Sequence, residues 1–318
     1  MYPLLFSQNL FTLVWGTENW IVSAVQDKES VVANGSLRGK NLSQLVSEYG
    51  ESLMGKTVAE MYGNRFPLLI KFINARQDLS IQVHPNDQLA MSRHASLGKT
   101  EMWFVIDAEP GATLYSGFKQ SISKYEYQKR VEDGSICEVL QSHPVHRGDV
   151  FFIPAGRVHA ICGGIYLAEV QQSSDITYRI FDYNRPGLDG KPRQLHTELA
   201  VDAIDYSLYP TYRTTYLEKT NKPVGITECP FFTVKIHNIT RAFHRKLFKY
   251  DSFVIYMCLG GNCTIRMRNT SLEVTSVELK RGDSCLIPAE CADLDLIPNN
   301  LTGAAELLEV YIDNKHFN

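Results

Sequence analysis

Four residues of this 318-residue chain have types and spacing that suit a divalent metal: Gln82 and His84 in "IQVHPND", Glu101 in "GKTEMWF" and His159 in "PAGRVHAI". Alternate side chains of a β-strand share a face, so Gln82 and His84 project together while Ile81 and Val83 point the other way into apolar packing. Glu101 opens another apolar run, and His159 follows a Pro-Ala-Gly turn. An amide oxygen, two imidazole nitrogens and a carboxylate make a ligand set for a borderline cation such as zinc, and other divalent metals would also accept it. With a single anion among the ligands, a dication keeps net positive charge and remains a Lewis acid, with a fifth position open to water or a substrate oxygen. Taken singly, each histidine reads equally well as an ordinary hydrogen-bonded strand residue; the combination carries the case.

Further polar groups gather around this set. Lys99 precedes Glu101 by two residues and shares its face if the strand extends that far. In "SSDITYRIFDYNR", Asp175 and Arg179 are four apart, which in a strand puts both on one face, although a surface ion pair has the same spacing. Lys99, Asp175 and Arg179 are the candidate catalytic residues. Arg179 is also the leading candidate for holding an anionic ligand, with Lys99, Ser23, Arg185 and Lys191 as further donors. His94, on the connection between the ligand strands, is a candidate lid residue.

The elements that must position these residues are strands. From about 66 to 182 the chain breaks into short β-branched and aromatic runs such as "LSIQVHP", "EMWFVIDA", "DVFFIPA" and "IYLAEVQQ", punctuated by Gly, Pro, Asn and Asp. The same texture returns from about 231 in "FFTVKIHNI" and "SFVIYMCL". The two regions share a repeat: "RGDVFFIPAGRVHAI" at 147 aligns with "RGDSCLIPAECADLDL" at 281, with His159 opposite Asp293. Two all-β units, one with an emptied site, account for it. Helical spacing is confined to 41–55, with Asn41 or Ser43 as cap, and to 196–205. The expected division is an N-terminal segment (1–60) packing on the barrels, a metal-binding catalytic barrel (61–182), a linker with a helix (183–228) and a second, metal-free barrel (229–318).

Composition narrows the function. A net charge of −3 and no basic run argue against nucleic acid, and no apolar stretch reaches membrane-spanning length. The N-terminus lacks a basic leader region, and seven cysteines without C-x-x-C read as reduced core thiols, so a cytoplasmic location is expected. The N-x-S/T triplets at Asn34 and Asn238 are then incidental.

The segment "PAGRVH" resembles the second cupin motif. The set "LSIQVHPND", "GKTEMWF", "GDVFFIPAGRVHAI" and "SSDITYRIFDYNR", with "WGTENWIVSA" near the N-terminus, is similar to type I mannose-6-phosphate isomerases in their short bacterial form. The resemblance implies an all-β-dominated fold of tandem cupin jelly-roll barrels with a few connecting helices. It also implies one zinc per chain and interconversion of mannose 6-phosphate and fructose 6-phosphate. By position, the family's ligands fall on Gln82, His84, Glu101 and His159, its lysine on Lys99, and its aspartate and arginine on Asp175 and Arg179. Thr100 stands where long bacterial members commonly have proline. The general base stays open among Asp175, Lys99, His84 and a metal-bound hydroxide, and so does the oligomeric state. An iron-dependent cupin dioxygenase and a non-enzymatic sugar-binding cupin regulator are the alternatives.

Overall fold

The computed structural model describes residues 1–268, 274–291, 293–299 and 303–316, and the chain divides into two compact units. One comprises Leu10–Asn19 and Lys71–Thr214; the other comprises Met1–Asn9, Trp20–Ile70 and Thr215–Asn318. This differs from the four-part expectation. Residues 10–19 supply strands to the unit that holds the candidate ligands, and most of the expected linker, including helix Thr197–Ala203, belongs to that same unit.

In the ligand-bearing unit, one sheet runs in the order Leu10–Leu13, Gly16–Val22, Leu68–Ala75, Ile165–Gln172, Glu101–Ala108, Val150–Ile153, Arg213–Thr214. The second runs Tyr178–Phe181, Ile81–Val83, His159–Ile161, Thr113–Phe118, Leu140–Pro144. Apart from the hairpin of Leu10–Leu13 with Gly16–Val22, neighbours such as Ile165–Gln172 and Glu101–Ala108 are distant in sequence and antiparallel, the topology of a jelly roll. Ile81 and Val83 do face apolar packing, in a cluster with Phe118, Tyr127, Val158 and Tyr178. Trp103, Val105, Phe151, Ile153 and Leu167 form another cluster. Two helices that the spacing did not reveal, Asp87–His94 and Lys124–Glu132, join the strands.

The other unit orders Val224–Glu228, Thr233–Ile239, Ala305–Tyr311, Val254–Arg268, Asp293–Pro298 and Phe243–Lys246 in one curled sheet. Strands Val274–Lys280 and Ser284–Ile287 also pair with the long Val254–Arg268. Helix Leu42–Met54 opens on a capping box: the Gln44 N–H donates to Asn41 Oδ1 at 2.8 Å, and the Asn41 N–H donates to Gln44 Oε1 at 2.9 Å. All seven cysteines are free, and burial pushes the thiols of Cys258, Cys263 and Cys291 up to about 12.

The repeated Arg-Gly-Asp is a turn made the same way twice. The carboxylates of Asp149 and Asp283 accept the amides of His146 and Lys280 at 2.8 and 2.9 Å. Gly148 and Gly282 occupy the left-handed region at φ 88° and 91° and donate to Val105 O and Cys258 O, each at 2.9 Å. The sheet registers extend the match. Trp103, paired with Phe151 and Glu169, corresponds to Tyr256, paired with Cys285 and Glu309. Both glutamates are buried, and both accept a hydrogen bond from that aromatic residue at 2.8 Å. On the same registers, the places of Gln82, Glu101 and His159 fall on Lys246, Val254 and Asp293.

Glu309 is held by Arg245 through Nε at 2.9 Å and Nη2 at 2.6 Å, by Tyr250 at 3.0 Å, and by His237 Nε2 at 3.1 Å. Burial opposes its charge, but His237 and Arg245 outweigh it and hold the carboxyl below the usual range. A depressed carboxyl contributes stability that is complete above its unfolded value and is lost as pH falls. Glu309→Gln is therefore expected to cost about 3–5 kcal/mol in urea unfolding at neutral pH, because it strands Arg245. The deficit should shrink below about pH 4, where the wild-type carboxyl itself begins to lose its advantage.

Candidate metal centre

Adjacent strands set the site by register. Arg179 pairs with Gln82, Gln82 with His159, and His159 with Ser116, so four side chains form one row across the second sheet. Glu101, at the start of its strand in the other sheet, meets this row: Oε1 lies 3.3 Å from His159 Nε2 and Oε2 lies 3.5 Å from His84 Nε2. Gln82 Nε2 is 3.3 Å from His159 Nε2. Ligand atoms of His84, Glu101 and His159 all lie within 4.8 Å of one another, the one such cluster of three among the described residues.

Main-chain carbonyls fix both imidazoles. His84 Nδ1 is 2.9 Å from Ile176 O and His159 Nδ1 is 2.7 Å from Arg157 O, so each Nδ1 carries the proton and each Nε2 keeps a lone pair facing Glu101. Burial, with Lys99 nearby, holds His84 well below the ordinary histidine value; burial likewise lowers His159, to about 3. Two neutral imidazoles with converging lone pairs are what a cation requires. Both oxygens of the fully buried Glu101 lack a hydrogen bond. An ionised carboxylate so placed demands a counter-charge, and the donor set fits zinc or a similar divalent ion. Gln82 would serve that ion through its amide oxygen.

Lys99 supplies one local cation. The strand begins at Glu101, so the shared strand face expected for Lys99 does not form, but its Nζ lies 3.1 Å from both Glu101 Oε2 and His84 Nε2. Its loop is braced by Gln172, which accepts from the Thr100 N–H at 2.9 Å and donates to Asp87 at 2.9 Å. In the protein alone, burial pushes the Glu101 carboxyl up, against the pull of Lys99.

Behind Glu101 lies a buried ion pair that sequence reasoning missed. Lys71 Nζ is 3.0 Å from Glu169 Oε1 and 3.6 Å from Glu18 Oε2. Burial opposes ionisation of Glu169, yet Lys71 and Lys99 hold its carboxyl down. Single charges inside the apolar runs "LLIKFINA" and "IYLAEVQQ" were the available signal. Ser116 was missed too; it is buried beside His159, and its Oγ has no partner.

The remaining candidates are placed less simply. Arg179 is half-buried, with Nη1 donating to Gln194 O at 2.8 Å and Nε buried without a partner. Burial, then the charge of Arg193, lowers its pKa. Asp175 is exposed in the irregular stretch before strand Tyr178–Phe181, so the shared strand face expected for it and Arg179 does not form. Arg185 and Arg193 both grip Asp182. His94 Nε2 lies 2.8 Å from Tyr178 OH. Ser23 lies in the other unit, buried, its Oγ accepting the Val25 N–H and its own N–H donating to Ser30 Oγ.

Comparison with known proteins identifies relatives of the whole chain. The family described as "Phosphomannose isomerase type I, catalytic domain" matches residues 16–102, and "Mannose-6-phosphate isomerase, cupin domain" matches residues 225–312. Mannose-6-phosphate isomerase ManA of Bacillus subtilis is 37% identical over 85% of this chain and 83% of its own length. Mannose-6-phosphate isomerase of Streptococcus mutans is 33% identical over 85% and 82%. Among solved structures, the mannose 6-phosphate isomerase from Bacillus subtilis superposes with a TM-score of 0.86 at 28% identity, covering 98% of this chain and 99% of that one.

His84→Ala and His159→Ala are each expected to weaken zinc binding by more than the ten- to hundred-fold typical of changes outside the ligand set (about 10–100-fold). Competition against a chromophoric chelator measures it.

Proposed function

The chain belongs to the type I mannose-6-phosphate isomerases, and from that membership we propose that its buried centre interconverts mannose 6-phosphate and fructose 6-phosphate, using one zinc ion held by Gln82, His84, Glu101 and His159. The observation that carries the reading is the Lys99 ammonium 3.1 Å from Glu101 and from His84, beside two neutral imidazoles and a carboxylate that lacks hydrogen bonds. The metal, when bound, supplies Lewis-acid polarisation of the substrate oxygens.

The reaction moves a proton from C2 to C1 through an enediol, and negative charge develops on the oxygens of both carbons. A fixed cation in a dry site stabilises that charge without reorganising. Lys99 suits this role: Glu101 holds its Nζ, burial excludes water, and its N–H groups can pass a proton between the two oxygens. Arg179 lies one strand beyond Gln82 in the same row, and its guanidinium carries an unused buried Nε–H. It serves the substrate's phosphate dianion, aided by Arg193 nearby. Asp175 remains the candidate base at the exposed edge. A small sugar phosphate as partner and a cytoplasmic location complete the proposal.

A coupled assay for fructose 6-phosphate from mannose 6-phosphate tests it. Turnover should vanish on chelation and return with zinc; no turnover from zinc-loaded protein would refute the substrate. Lys99→Ala should lower kcat by about 10²–10⁴-fold while zinc is retained. Arg179→Ala should act mainly on KM, because it removes binding common to substrate and transition state.

A further inference from the structure

We infer that Arg157, clasped between Tyr209 and Tyr212, is a positioning residue for His159, acting through its own main-chain carbonyl; the inference rests on His159 being a metal ligand. The Arg157 carbonyl accepts the His159 Nδ1–H at 2.7 Å and thereby leaves Nε2 with its lone pair. A carbonyl is only as well placed as the turn that bears it, and this turn is held from several sides. The Arg157 N–H closes it onto Pro154 O at 3.0 Å. The Gly156 N–H donates to the carbonyl of His84, another candidate ligand, at 2.9 Å, and the Asp205 N–H donates to Gly156 O at 2.8 Å. Gly156 has φ +92°, and a Cβ there would lie 3.0 Å from Ala203 O and 3.3 Å from the Asp205 Cβ, so the turn lies directly against the segment that follows helix Thr197–Ala203.

That segment folds back as a strap. The Arg157 guanidinium carbon sits 4.5 Å from the Tyr209 ring centroid and 4.6 Å from that of Tyr212. The guanidinium is buried, and a cation over aromatic faces is attracted more strongly when desolvated. Both rings are themselves anchored. Tyr209 OH donates to Asp205 Oδ2 at 2.6 Å, and Tyr212 OH donates to Phe118 O at 2.9 Å. Phe118 ends the strand whose Ser116 pairs with His159. The clasp thus ties the carbonyl that sets the His159 tautomer to the strand beside His159 and to the residue that holds Gly156. Tyr209 is 42% exposed, too open to be a core residue, and its ring is spent on Arg157.

Zinc alone, titrated into the metal-free full-length chain against a chromophoric chelator, tests this together with the thermal melt of the metal-free form. Arg157→Ala is expected to weaken zinc binding about 10–100-fold, the range for residues that orient a ligand. Tyr209→Ala should weaken it about three- to ten-fold without lowering the metal-free melting temperature, while Tyr209→Phe, which keeps the ring, should stay within about two-fold of wild type. If Arg157→Ala does not fold, the Tyr209 pair decides. Unchanged zinc affinity in Tyr209→Ala overturns the inference, and so does a loss that Tyr209→Phe shares, since that loss would belong to the Asp205 hydrogen bond. Failure of the wild type to bind zinc would instead overturn the metal site itself, and this inference with it.

Discussion

A carboxylate shut away from water has to be answered by positive charge, and Glu101 imposes that demand on everything around it. The two histidines cannot answer it, because burial and the charge of Lys99 keep them neutral. Lys99 answers part, and Lys71 is already committed to Glu169 and Glu18. The groups left facing one another, His84, Glu101 and His159, make a donor set that suits a dication. The same need explains why the loop carrying Lys99 is braced by Gln172 and Asp87, since a mobile ammonium would be a poor counter-ion.

Geometry follows from pairing across strands. A row of residues on neighbouring strands has spacings set by the sheet, so Arg179, Gln82, His159 and Ser116 are placed to within what a hydrogen-bonded ladder permits. Glu101 arrives from the opposite sheet, and Lys99 from the loop just before its strand. Sites built on strands are held more tightly than sites on free loops. The loop of Lys99 and the turn before His159 lie outside the strands; Gln172 braces the first, and a strap of tyrosines holds the second.

Much of this was legible in the residues. Alternation in "IQVHP" separated Ile81 and Val83 from Gln82 and His84, and the repeated Arg-Gly-Asp announced two barrels because Asp149 and Asp283 cap identical turns. Other features were hidden for physical reasons. Alternation cannot distinguish two buried faces from one, so it gave no sign that Lys71 and Glu169 are both buried. Asp175 was assigned to a strand face by spacing, but the stretch before Tyr178 is turned out of the sheet where Gln171 Nε2 donates to Ser174 O at 2.7 Å. Ser23 looked available as a hydroxyl, while the fold spends it on a local turn. The strap at 205–214 depends on contacts distant in sequence, which no local pattern carries.

Glu169 and Glu309 occupy corresponding places, each receiving a hydrogen bond from an aromatic neighbour, yet only one stands behind a candidate metal site. The chain therefore carries its own control. In the second barrel the ligand positions have become Lys246, Val254 and Asp293, while the buried glutamate and the Asp-capped turn persist. What both barrels keep is the turn and the buried glutamate; what only the first has is the candidate ligand set. The candidate metal site is accordingly a handful of side chains set on a frame that the chain builds twice.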